Sequence, residues 1–174
     1  MFAELNTRHQ KILRQFFQDP ELEISARELS RRTDISPAWI SKNIDLLSDK
    51  KFLEIKEEKA SNKITTGENF QELKEVYNLG EIKESGIVEN LDKELRPEAI
   101  ILFGSYEQGN DRKDSDIDIA IINGREKEVN LKEFEKDLER KIELQFIENP
   151  KDSDKNFRNS LANGKTLKGF AELI

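Results

Sequence analysis

The chain predicts an α+β protein built as two modules, on three observations. Apolar residues recur at helical spacing through residues 12–47 and then alternate in two short runs near 52–56 and 63–66. A second set of short apolar runs, at 99–103, 116–122 and 142–147, is interleaved with helical stripes. Charge also divides the chain. Residues 1–68 carry 12 Lys and Arg and 12 Asp and Glu, whereas residues 69–174 carry 17 against 24 and account for the whole net charge of −7. The expected organisation is an N-terminal module over 1–67, a connecting helix over 68–84 and a C-terminal module over 85–174.

Composition narrows the class. Of 174 residues, 37% are charged and 35% hydrophobic, polar for a globular chain but with enough periodic apolar positions for two small cores. No apolar run approaches the roughly 20 residues that span a bilayer. The start of the chain lacks a basic stretch followed by an apolar one, so no signal peptide is expected. With no cysteine there is neither a disulfide framework nor a thiolate zinc site. The expectation is a soluble cytoplasmic protein, and the acidic balance argues against a general nucleic-acid coat.

The elements follow in order. Thr7 with Gln10 reads as a capping box, opening a helix whose buried stripe is Ile12, Leu13, Phe16 and Phe17 and which Asp19-Pro20 ends. Ser25 with Glu28 opens a short second helix. Ser36-Pro37, an N-cap followed by proline at the first helical position, opens a third. Its stripe is Ile40, Ile44 and Leu47, which leaves Ser41, Lys42 and Asp45 on the open face. Phe52–Lys56 alternates as a strand, Lys59–Asn62 is a turn and Lys63–Thr66 a return strand. Phe70, Leu73 and Val76 mark the connecting helix, closed by Leu79-Gly80, and Ile87, Leu91 and Leu95 mark another before Arg96-Pro97. Ala99–Phe103, Asp116–Ile122 and Ile142–Ile147 read as strands. Leu131, Phe134 and Leu138 mark one helix, and Phe157 with Leu161 a last one that Gly164 ends. Leu167–Leu173 is a weakly patterned tail. The single histidine, His9, is expected to be exposed on the first helix.

Helix, short helix, tight turn, helix and hairpin over residues 5–67 resemble the winged helix-turn-helix fold of bacterial and archaeal regulators, most closely in the stretch from Ser25 to Leu47. In that fold the second helix of the pair enters the major groove of double-stranded DNA by its N-terminal half. The resemblance implies Pro37, Ala38, Trp39, Ser41 and Lys42 near bases, and Arg31, Arg32, Lys59 and Lys63 near phosphates. A winged helix also serves as a protein-docking or homodimerising unit, and the neutral charge of this module leaves those roles open.

The C-terminal module carries the chemistry. Asp116 and Asp118 alternate with Ile117, Ile119 and Ile121. Residues two apart on a strand share a face, so the two carboxylates would stand side by side while the isoleucines enter a core. Such a pair repels itself unless a cation lies between, and hard oxygen ligands suit Mg²⁺.

Gly104-Ser105, ten intervening residues and then Asp116-Ile117-Asp118 resemble the Gly-Ser-x10-Asp-x-Asp signature of minimal nucleotidyltransferases of the DNA polymerase β superfamily. The likeness extends over about residues 85–170 and includes the apolar strand before Gly-Ser, Gly109, Asp114-Ser115 and Gly164. It implies a small mixed-sheet domain that uses a nucleoside triphosphate, ATP foremost, and two Mg²⁺ ions to move AMP onto a hydroxyl. Gly104 would let the backbone approach a phosphate and Ser105 would donate its hydroxyl. Asp116 and Asp118 would bridge the metals. Glu143 matches the family's third carboxylate, which completes a metal site and helps deprotonate the acceptor. Members often carry Arg or Lys just after Gly-Ser. Here those positions are Tyr106, Glu107 and Gln108, and Arg112 or Lys113 would have to supply the charge by folding back. Asp111 and Asp114 are expected to serve loop solvation and turn geometry. Small members of the family are often antitoxins that adenylylate a tyrosine of a partner HEPN-domain toxin, which implies a protein acceptor. The alternative is a DNA-binding regulator whose transferase domain senses nucleotide or is inactive.

Overall fold

The computed structural model describes residues 5–59 and 61–172. Ala60, inside the expected Lys59–Asn62 turn, and Leu173, at the end of the expected tail, lie outside the described residues. The chain divides into two compact units, Met1–Lys74 and Glu75–Ile174, and the division falls inside a helix.

The first unit holds α1 (Thr7–Gln18), α2 (Ala26–Thr33) and α3 (Pro37–Asp49), followed by an antiparallel hairpin of β1 (Leu53–Lys56) and β2 (Lys63–Thr66). Ile24 adds a single antiparallel bridge to Ile64 of the hairpin. Ile12, Leu13, Phe16, Ile24, Leu29, Ile40 and Leu47 are buried, as the periodicity requires. Two sequence expectations are corrected here. The N-cap of α1 is Asn6, not Thr7: its side chain accepts from the amides of Arg8 and His9, and the box closes when the Asn6 amide donates to His9 Nδ1 at 3.3 Å. His9 is therefore buried, 4% exposed, rather than solvated, with its ring centroid 5.0 Å from that of Trp39. The caps of α2 and α3 are Ser25, which accepts from the Glu28 amide, and Ser36, which accepts from the Trp39 amide.

α4 (Phe70–Glu84) runs straight through Leu79-Gly80, where the sequence suggests an end. Val76 is 50% exposed, so the apolar stripe stops at Leu73. The buried face continues through Lys74, Asn78 and Ile82 at four-residue steps, and the two polar members of that row conceal it from a hydrophobic pattern.

In the second unit α4 leads to α5 (Ile87–Leu95) and then to a four-stranded sheet in the order β5-β4-β3-β6. β3 (Ala99–Phe103) is central and antiparallel to both β4 (Ile117–Ile122) and β6 (Lys165–Gly169), while β4 and β5 (Ile142–Ile147) are parallel. Parallel neighbours need a crossover, and α7 (Lys132–Leu138) lies within it. The expected tail is thus in part a strand, β6. One face of the sheet buries Ile100, Leu102, Ile117, Ile119 and Ile121 with Ile82, Ile87, Leu91 and Leu95. The other buries Ala99, Ile101, Phe103, Ala120 and Ile122 with Leu161 of α8 (Lys155–Asn163). A sheet covered on both faces reads as short, nearly continuous apolar runs, and β3 is buried at every position.

Candidate active site

Asp118 is the second residue of β4 and the one polar residue in an otherwise apolar strand. Strand alternation places it on the face of Phe103, Ala120 and Ile122. β3 ends opposite it, with Phe103 in register with Asp118, and then turns into the single helical turn α6 (Gly104–Glu107). The turn requires Gly104: its φ is +81°, and a Cβ there would stand 2.5 Å from Asp118 Oδ2. Glycine thus brings the backbone directly against the carboxylate, with Ser105 half-buried beside it.

On the other side of Asp118 the parallel ladder sets Glu143 directly in register with it. Neighbouring strands lie about 4.8 Å apart, so the two carboxylates are lateral neighbours. Asp116 falls one residue before β4 begins and is exposed, as is Glu143, whereas Asp118 is half-buried. Burial, reinforced by the charges of Glu143 and Asp116, raises the Asp118 pKa above the usual carboxylate range. The structure therefore brings Gly104, Asp118 and Glu143 together, with Asp116 at the rim. Among the described residues no three acidic or imidazole side chains converge as a ready-made metal site. The donor set is all oxygen, and its members repel one another, so it is chemically fitted to a hard divalent cation that would relieve the repulsion.

Arg112 and Lys113 are exposed in the loop between α6 and β4. The loop is built from within: the Arg112 amide donates to Ser115 Oγ at 2.9 Å, and the Asn110 amide to the Ser105 carbonyl at 3.1 Å. Its anchor was not legible as such. Asp111 is buried, not solvated as the sequence suggests. Asn78 Nδ2 donates to Asp111 Oδ1 and to the Tyr106 carbonyl, each at 2.8 Å, and the Arg140 guanidinium lies 3.7 Å from Asp111 Oδ2. Two segments far apart in sequence thus pin the turn that follows Gly104-Ser105. The one available signal for Asn78 was its place four residues from both Lys74 and Ile82. Beneath the loop Tyr106 and Glu107 are buried, and burial raises the pKa of both groups.

In the first unit the structure separates the residues expected at DNA. Arg31, Pro37 and Ser41 line one groove of about 650 Å³ together with Arg27, Ser61 and Asn62. Trp39 is not part of it. That ring is half-buried, tilted against His9, with the Arg8 guanidinium 5.3 Å from its centre. Arg32 is exposed and lies 3.9 Å from Glu28. Ala38, Lys42 and Lys59 are exposed and Lys63 is half-buried. Arg27 is the groove cation that sequence reasoning passed over.

A mixed sheet carrying registered carboxylates on adjacent strands, beside a glycine turn, defines an acidic α+β domain suited to phosphate chemistry. Residues 85–169 match the family described as Polymerase beta, Nucleotidyltransferase, and this match supports nucleotidyl transfer as the activity of the segment. No curated protein and no solved structure gives a significant match to the chain. Among the described residues no helix is long and apolar enough to cross a membrane.

Proposed function

We propose that the second unit is a Mg²⁺-dependent nucleotidyltransferase that moves AMP from ATP onto a hydroxyl. The observation that carries this reading is the registered Asp118–Glu143 pair with Gly104 packed against Asp118. In this mechanism the Gly104-Ser105 turn holds the outer phosphates of the nucleotide, backbone first because no Cβ intervenes. Asp116, Asp118 and Glu143 hold the cations. Ions held there would supply positive charge to offset the negative charge of the phosphates and of the entering and leaving oxygens. Glu143 accepts the proton of the acceptor hydroxyl. The hydroxyl oxygen bonds to the α-phosphorus, the bond from that phosphorus to its bridging oxygen breaks, and pyrophosphate leaves. No histidine or cysteine is needed, which suits direct transfer without a covalent enzyme intermediate.

The resemblance of the Gly104–Asp118 stretch to antitoxin-type transferases supports a protein acceptor, a tyrosine of a partner HEPN-domain toxin. Incubation with ATP labelled on its α-phosphate, Mg²⁺ and candidate acceptors tests the reading. Label should transfer with the native chain and fall about a thousandfold or more on Asp118→Ala or on chelation of Mg²⁺. Equal, trace labelling by the native chain and the variant would end it.

The groove of the first unit supports a second activity alongside the first, binding of double-stranded DNA by a winged helix. Arg27 and Arg31 would meet phosphates there, and Ser41 a base edge. Binding should weaken steeply with salt, and Arg27→Ala with Arg31→Ala should reduce the slope by about two. A salt-independent interaction, or none at low salt, would exclude it.

A further inference from the structure

We propose that the open edge of β5 receives the acceptor as an extended polypeptide segment, which adds a strand beside Glu143. This rests on the transferase reading and names the class of acceptor it takes. β5 is the last strand of its sheet. In its parallel ladder the Lys141 carbonyl accepts from the Ile117 amide at 2.8 Å and the Ile147 carbonyl from the Asn123 amide at 2.9 Å. Lys141, Glu143, Gln145 and Ile147 therefore turn their backbone groups toward β4, and Ile142, Leu144 and Phe146 turn theirs outward. The Ile142 amide is capped by Glu135 Oε1 at 3.2 Å. No described residue bonds the outward N–H and C=O groups of Leu144 and Phe146. The strand has no lysine, proline or glycine of the kind that guards an edge. Its Leu144, Phe146 and Ile147 are only half-buried.

A groove of about 420 Å³ is formed at the end of the strand, lined by residues 145–149, Asp152, Ser153 and Phe157. Its nearest link to the carboxylates is along the strand, since the lining residue Gln145 follows Glu143 by two positions. Gln145 and Ile147 share the sheet face of Glu143. The Phe157 ring meets Phe103 edge-on at 5.7 Å, and Phe103 is the register partner of Asp118. Alternating outward donors and acceptors suit a peptide backbone rather than a sugar or nucleoside. Glu148 and Asp152 at the lining favour a basic or neutral segment. A side chain of such a strand, set opposite Glu143, would bring its hydroxyl to the carboxylate that takes the proton, with pyrophosphate the leaving group as before.

The test uses the whole chain, Mg²⁺, α-labelled ATP and degenerate short peptides of about ten residues with one central Tyr, Ser or Thr. Peptides with basic flanks should be labelled. Ser153→Trp, which fills the groove, and N-methylation of alternate peptide amides should each lower kcat/KM about tenfold or more while Mg²⁺–ATP binding is unchanged. The methylated peptides leave the protein untouched, so a folding defect cannot imitate the result. The inference is overturned if ATP binds but no peptide is labelled, or if labelled peptides ignore both changes. It is equally overturned if light scattering shows a dimer that Ser153→Trp dissociates, because the edge then belongs to a second copy. Failure of ATP to bind at all defeats the transferase reading instead, and the acceptor inference with it.

Discussion

Gly104 shows how much of this site rests on one missing side chain. Its φ of +81° disfavours any L residue, and the space a Cβ would take is held by Asp118 Oδ2. Gly104→Ala should cost about 1 kcal/mol of stability from backbone strain. Because Asp118 must turn away, the variant should also lose about a hundredfold in transfer rate, read by single-turnover labelling. Asp118 and Glu143 stand out in the sequence as polar residues alternating with apolar ones on a strand, whereas Asp116, expected in the same strand as Asp118, lies one residue before β4. Asp111 does not stand out, since a buried and a solvated aspartate look alike in a loop. His9 was misjudged for a similar reason: its burial follows from capping by Asn6 and from the nearby Trp39, neither of which a periodicity reveals. Burial holds the His9 pKa below its ordinary value, with the backbone at Asn43 opposing. In the window below about pH 6.5 the unfolded chain therefore takes up a proton that the folded unit does not. Stability is fully present above that pH and falls as pH drops through the window, until the folded pKa is passed. Thermal melting at about pH 7.5 and about pH 5.5 should show the loss. His9→Gln, which keeps a side-chain acceptor for the Asn6 amide, should flatten it.

At the level of elements, the parallel pairing of β4 with β5 fixes which carboxylates meet. A one-residue slip would set Asp118 opposite Ile142 or Leu144 and turn Glu143 away. The apolar runs of β3, β4 and β5 announced themselves, because strands buried on one or both faces must carry Ile, Leu, Val or Phe at the buried positions. β6 did not: Lys165–Gly169 is exposed at four of five positions, and it is a strand because β3 offers it a backbone partner. The same blindness hid the second half of α4, whose buried face uses Asn78 to hold the loop after Ser105. Asn78→Ala leaves the Tyr106 carbonyl and Asp111 without that donor and should cost about 2 kcal/mol in urea unfolding of the second unit. It should lower the transfer rate as well, since the turn after Ser105 loses its anchor.

Across the whole molecule, the family match and the folded unit do not begin at the same place. The match starts at residue 85, whereas the unit starts at Glu75 and the loop anchor Asn78 lies between. A fragment over 68–174 should fold and keep whatever transferase activity the full chain has. One over 85–174 should be less stable by about the cost of Asn78→Ala or more, measured side by side by calorimetry. The charge division belongs to this scale too: a neutral first unit with a groove holding two arginines and an acidic second one should respond oppositely to polyanions. The meeting of His9 with Trp39 has a practical consequence here. They are the sole histidine and the sole tryptophan of the chain, 5.0 Å apart, and both lie in the first unit. Indole emission is quenched by a neighbouring imidazolium, so the intrinsic fluorescence of this protein is a built-in optical electrode. Excited at the red edge of indole absorption, where Tyr77 and Tyr106 of the other half do not absorb, it reports one proton in one half of the chain.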